Sequence, residues 1–211
     1  MLPVFRLLRI TLPWLWFLLT IIWLTGSAAV CQEPSYDGVW WMKSSANRQD
    51  GFILGYGECY ADSDGYRVRV MANDANVRIA MSTYYQGHQS QHTRPVARVL
   101  RDVWGGHIPL RDATPTHPGL GWRERHGFLD GFWWQGSDPA EQLGFVEGYV
   151  TCHNSEEIHD LPLREPMSTY VSQLGSWYDQ PGEPAAVSQR RAVKISEVMT
   201  RLQSSAQNAT R

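Results

Sequence analysis

Apolar positions along this chain recur with the spacing of a helix face. Phe52, Gly55, Tyr56 and Cys59 fall at 0, 3, 4 and 7, and so do Phe145, Gly148, Tyr149 and Cys152. Val77, Met81, Tyr84 and Tyr85 fall at 0, 4, 7 and 8, a spacing repeated by Tyr170, Leu174, Trp177 and Tyr178. A third pair, Val96-Val99-Leu100-Val103 and Ile195-Val198-Met199-Leu202, again reads 0, 3, 4, 7. This periodicity predicts helices over roughly 45–61, 76–86, 94–104, 138–153, 165–178 and 186–203.

The patterns come in pairs because the chain matches itself. Asp37–Tyr60 (DGVWWMKSSANRQDGFILGYGECY) and Asp130–His153 (DGFWWQGSDPAEQLGFVEGYVTCH) align without a gap at an offset of 93, and 11 of 24 positions are identical. Chance would supply about one or two, so the expected architecture is an internal duplication. The third helix pair is offset by 99, which places six extra residues within Gln180–Lys194. The fold expected is all-α, two fused three-helix repeats (37–104 and 130–203) packed as one helical domain about a pseudo-twofold axis.

Local signals support the first helix of each copy. Asp138-Pro139-Ala140-Glu141 reads as an N-cap, a proline at the first helical position and an acid closing a capping box. In the first copy Ser44 or Ser45 can cap. Glycine inside a helix costs about 1 kcal/mol relative to alanine. Its recurrence at Gly55 and Gly148 therefore predicts close approach of another helix or an aromatic ring, and makes these helices central. Gly105–Gly127, with three prolines and five glycines within the 105–129 connector, reads as irregular and surface-lying. Tyr66–Val70 alternates like a short strand, but Leu161-Pro162-Leu163 stands at the matching place, so both read as extended connectors. Residues 204–211 read as a polar, disordered tail.

The N-terminus changes the compartment. Arg6 and Arg9 precede the uncharged run Ile10–Leu24, and Ser27 and Ala29 stand at −3 and −1 of a signal-peptidase site. The run is short for a membrane span of about 20 residues, so 1–29 reads as a signal peptide and the protein as exported, periplasmic or secreted. The alternative is an anchor left uncleaved. Val30 stands where a lipoprotein wants a small residue before Cys31. Removing 1–29 takes away two arginines and no acid, moving the formal charge from −2 to −4. That balance gives no electrostatic case for nucleic acid. The remaining 182 residues can bury roughly 70% of their unfolded surface without disulfide help.

Candidate chemistry is sparse. Trp40, Trp41, Trp133 and Trp134 could stack on a sugar or a partner side chain, or could staple the chain to its helix and enter the core. Phe52, Gly55, Tyr56, Cys59, Phe145, Gly148, Tyr149 and Cys152 read as the packing core of the two copies. Cys59 and Cys152 occupy matching positions; an inter-repeat disulfide, two buried thiols, or a bridge from Cys31 to one of them all stay open. Of seven histidines only His88 and His92 are spaced i, i+4, in a glycine- and glutamine-rich turn, and His153 with Glu156, Glu157 and His159 is a looser cluster. No HExxH, CxxC, G-x-S-x-G, P-loop or dinucleotide fingerprint occurs, so no metal or cofactor is implied. Glu58, Asp62, Asp64 and Glu147 do not recur between the copies: Glu58 matches Thr151 and Glu147 matches Leu54. Gln189-Arg190-Arg191 reads as a solvated helix face.

The F-x-x-G-Y segments Phe52–Tyr56 and Phe145–Tyr149 resemble small periplasmic immunity proteins that protect bacteria against type VI secreted cell-wall amidases. The resemblance covers about ten residues per copy and implies a helical bundle that binds and blocks an effector enzyme. This chain departs from that pattern in its duplication, its Trp pairs and a cysteine placed after the Gly-Tyr, and no binding residues carry over. The function expected is a non-catalytic interaction protein of the cell envelope, of immunity, inhibitor or scaffold type. The alternative is an envelope hydrolase, metal-assisted or not, with a site between the repeats that uses His153, Glu156 or His159.

Overall fold

A computed structural model of the chain describes residues 35–63, 74–110, 129–155 and 163–209. Among them the chain is all-α, with no β-strand. The nine α-helices are α1 Gly38–Lys43, α2 Ala46–Ser63, α3 Asp74–Gly87, α4 Val96–Trp104, α5 Gly131–Gly136, α6 Pro139–His153, α7 Met167–Tyr178, α8 Pro184–Arg191 and α9 Ile195–Ala209, with a 3-10 turn at Gln89–Gln91. They belong to one compact unit, Tyr36–Arg211. The expected signal segment 1–29, Cys31, Tyr66–Val70, Leu161-Pro162 and residues 111–128 of the connector lie outside the described residues.

Helices α2 and α6 form the central pair. Residues 51–57 of α2 and 144–150 of α6 are buried without interruption, so neither helix is amphipathic over that stretch; each is enclosed all round. What lets them meet is glycine. A Cβ at Gly55 would fall well inside contact distance of the Phe145 carbonyl oxygen, and one at Gly148 would do the same to Phe52. Gly51 sets against the Glu141 carbonyl and Gly144 against that of Arg48. Two glycines four residues apart on each helix thus bring backbone to backbone, a close small-xxx-small crossing. Cys59 and Cys152, one turn beyond the seam, are joined in a disulfide with Cα atoms 6.1 Å apart. Of the three arrangements open to the cysteines, this is the bridge between matching positions.

The outer helices seal this pair. Helix α3 packs on α2 and α4, α7 packs on α6 and α9, and α4 also reaches α6. One continuous apolar cluster runs from Trp41 and Phe52 through Val99 and Leu100 to Phe145, Leu174, Ile195 and Val198. Helix α4 shows the plainest one-sided pattern, burying Val96, Val99, Leu100 and Val103.

Three features differ from the sequence reading. The stretch 186–203 is two helices, α8 and α9, broken at 192–194. There the Val193 carbonyl accepts from the Tyr178 hydroxyl at 3.0 Å, and the Ile195 amide donates to the Leu129 carbonyl at 2.9 Å. These tertiary bonds take backbone groups that a continuous helix would use itself. Second, α9 continues to Ala209, so the polar residues 204–209 are helical rather than a disordered tail. Third, the Trp pairs lie inside short helices of their own, α1 and α5, rather than in the chain leading into α2 and α6.

Candidate functional site

The matching positions carry the same contacts in both halves of the described chain. Asp37 caps α1 by accepting from the Val39 and Trp40 amides (both 3.0 Å), and Asp130 caps α5 from Phe132 and Trp133 (2.9 and 3.2 Å). Gly38 lies against the Tyr85 ring and Gly131 against the Tyr178 ring, with no room for a side chain. The Ser44 hydroxyl donates to the Trp40 carbonyl and Ser137 to that of Trp133, each at 2.8 Å. Gln49 donates to the Trp41 carbonyl and Gln142 to that of Trp134, each at 2.6 Å. Asp138 and Glu141 form the expected capping box: Asp138 accepts from the Ala140 amide at 2.8 Å, and Glu141 is held by the Asp138 backbone. Burial nonetheless keeps the Glu141 carboxyl above the usual carboxylate range. In the first half the cap of α2 is Ser45, which accepts from the Arg48 amide at 3.3 Å.

The tryptophans divide by depth. Trp41 and Trp134 are buried in the core, with Trp134 also at the wall of a cleft. Trp40 and Trp133 are half-buried, each 5.2 Å from the phenylalanine below it, Phe52 or Phe145. Those rings stack on down the helix, Phe52 on Tyr56 on Tyr60 and Phe145 on Tyr149 on His153. All eight expected core residues, from Phe52 to Cys152, are buried.

The remaining candidates do not converge. His88 and His92 each direct a ring nitrogen at a backbone carbonyl, of Tyr84 and Tyr85, at 2.8 and 2.9 Å. His153 is buried against Tyr149, while Glu156, Glu157, His159 and Asp64 lie outside the described residues. Among the described residues no three His, Cys, Asp or Glu side chains are grouped so as to hold a metal. Glu58 accepts from the Ser196 hydroxyl at 3.3 Å. Glu147, 3% exposed, receives both the Nε of Arg48 (2.9 Å) and a terminal nitrogen of the same guanidinium, which also lies over the Trp40 ring. This is a bidentate pair that fastens α2 to α6. The matching positions hold Glu141 and Leu54, so the pair occurs on one side of the seam only.

One polar cleft opens in the second half. It has a volume of about 450 Å³ and is lined by Trp134, Gln135 and Gln142 on one side and by Gly175, Asp179 and Arg191 on the other. Sequence reasoning missed it, having read Gln189-Arg190-Arg191 as a solvated face. That helix does bury no residue, with Gln189 exposed and Arg190 donating to the Gln180 carbonyl at an exposed site, but the half-buried Arg191 lines the cleft. The readable signal was the exchange of Ser82 for Gly175 at matching positions, which removes a side chain from one copy only.

Comparison with known proteins returns nothing: no family model, curated protein or solved structure matches this chain significantly.

Proposed function

We propose that this chain is an exported, non-catalytic helical protein of the cell envelope that binds a protein partner, built from two copies of one helical unit related by a pseudo-twofold axis. The observation that carries this reading is how the matching residues are used. Identical pairs serve as caps, in the glycine seam, as glycines under a tyrosine ring, as glutamines on a tryptophan carbonyl, in the aromatic stacks and in the Cys59–Cys152 bridge. Residues retained in both halves are thus committed to packing, as suits a rigid body that presents a surface. The disulfide is compatible with an oxidising compartment, and among the described residues no helix is long and apolar enough to cross a membrane. The resemblance of the F-x-x-G-Y segments to immunity proteins makes a secreted cell-wall amidase the first partner class to try.

The test is affinity capture of the tagged, full-length product from native envelope extract, with partners identified and counted by mass spectrometry. The expected result is one stoichiometric partner, retained when the exposed His88 and His107 are replaced and weakened by Phe132→Ser at an exposed apolar position. The same preparation should begin at Val30. Full-length protein confined to the cytosol, or a bound metal with hydrolase activity, would overturn the reading.

A further inference from the structure

Trp41 and Trp134 sit in the same setting, yet only one of them is satisfied. The two Trp pairs have the same geometry, with ring centroids 6.3 and 6.4 Å apart at interplanar angles of 55° and 57°. Both tryptophan carbonyls are held by the matching glutamines. In the first half the Trp41 indole N–H donates to the Ser82 hydroxyl at 3.0 Å. The matching residue in the second half is Gly175, which has no acceptor, and among the described residues nothing accepts from Trp134. A Cβ built at Gly175 meets no atom within 4 Å, so the missing side chain leaves open space rather than a collapsed contact.

The exchange of Ser82 for Gly175 is one of several that open this place. Arg78, which in the first half is tied to Asp50 at 2.7 Å, is matched by the shorter Val171. The result is the cleft of about 450 Å³, within the range of sites that hold small ligands or single side chains. Arg191 lines it from α8, at the position that matches His92 in the first half, and its Nε is buried without a hydrogen-bond partner. The acid in the cleft, Asp179, already accepts from the Gln135 amide at 2.6 Å. The cleft is therefore lined by two donor side chains that no described residue satisfies, the Trp134 indole and the cationic Arg191, beside Asp179, whose Oδ1 is held by Gln135. A donor without a protein acceptor is satisfied most strongly by an ionised one, and for the buried Nε of Arg191 the lack of a partner is costly.

We propose that this cleft is a carboxylate-binding site, in which the Arg191 guanidinium and the Trp134 indole N–H donate to one carboxylate and Gly175 supplies the space. Where the carboxylate belongs to a protein, the site deepens the partner-binding reading above. A small acid would bind it just as well, so the site stands or falls separately from that reading.

The experiment follows the tryptophan indole N–H resonances of the ¹⁵N-labelled protein while N-acetylglycine, a minimal C-terminal carboxylate, is added to about 10 mM, a few-fold above the weak end of specific affinities. One resonance should shift saturably, and the uncharged N-acetylglycine methylamide should leave it in place. Arg191→Gln should weaken binding at least about tenfold, the effect of losing one charge-assisted pair. Gly175→Ser, which restores the residue of the first half, should abolish it while the rest of the spectrum stays folded. No shift in folded wild-type protein, an equal response to the methylamide, or unchanged binding in Gly175→Ser would overturn the site. A pentapeptide ending in glycine identifies the source: tighter binding than N-acetylglycine assigns the carboxylate to a polypeptide, and equal binding assigns it to a small acid. Failure of envelope capture with the carboxylate response intact would defeat the partner reading and leave the site standing.

Discussion

A missing side chain decides most at the residue scale. Gly51, Gly55, Gly144 and Gly148 each face a carbonyl oxygen of the opposite helix, so adding even one carbon must push α2 and α6 apart along the whole seam. Gly55→Ala or Gly148→Ala is expected to cost more than about 2 kcal/mol by overpacking. Gly175→Ala makes the control, since its Cβ meets open space inside α7. It should gain about 0.5–1 kcal/mol from helix propensity alone. Urea denaturation separates the two. Equal midpoints for Gly55→Ala and wild type would mean the seam dilates freely and the close-packing argument fails. The sequence could flag these glycines by their recurrence, but not what each one faces.

At the scale of elements, α2 and α6 are held by three unlike devices, the glycine crossing, the Arg48–Glu147 pair and the disulfide. The bridge closes a loop spanning 93 positions, long enough for chain entropy to give it an effect of about 4–5 kcal/mol in the loop-closure picture. The Cys59→Ser/Cys152→Ser double variant should therefore lose at least about 2 kcal/mol of stability. Peptide mapping without reductant should recover Cys59 linked to Cys152; both as free thiols in oxidised protein would dismiss the bridge. Element boundaries were legible where periodicity ran on and lost where tertiary bonds cut in. The break at 192–194 exists because Tyr178 and Leu129 take backbone groups from it. Helices α1 and α5, six residues each, are too short to show a period, although the aspartates ahead of them are ordinary N-cap signals.

For the whole molecule, the outer helices are tied back through two phenols. Tyr85 donates to the Arg94 carbonyl and Tyr178 to that of Val193, both at 3.0 Å with the rings fully enclosed. Burial pushes both hydroxyls well above the usual tyrosine range. The folded protein thus holds these protons more tightly than the unfolded chain. Stability is full below about pH 10 and falls as pH rises past it, by up to about 1.4 kcal/mol per pH unit for each phenol. Urea midpoints between about pH 9 and 11 should show the decline, and Tyr85→Phe/Tyr178→Phe should flatten it. An unchanged slope in that variant would place the alkaline sensitivity elsewhere.

Residue order alone determined the helical class, the apolar faces at helical spacing and the self-match at an offset of 93, because these depend on spacing along one chain. It also limited the disulfide to a short set of pairings. Only the tertiary structure decided that the bridge is Cys59–Cys152, that Trp41 and Trp134 are core while Trp40 and Trp133 are half-buried, and that Arg191 lines a cleft. Those outcomes depend on which groups meet across α2 and α6, and on whether Ser82 or Gly175 stands opposite a tryptophan. Proximity of that kind is set by packing between segments far apart in sequence, where local periodicity carries no information.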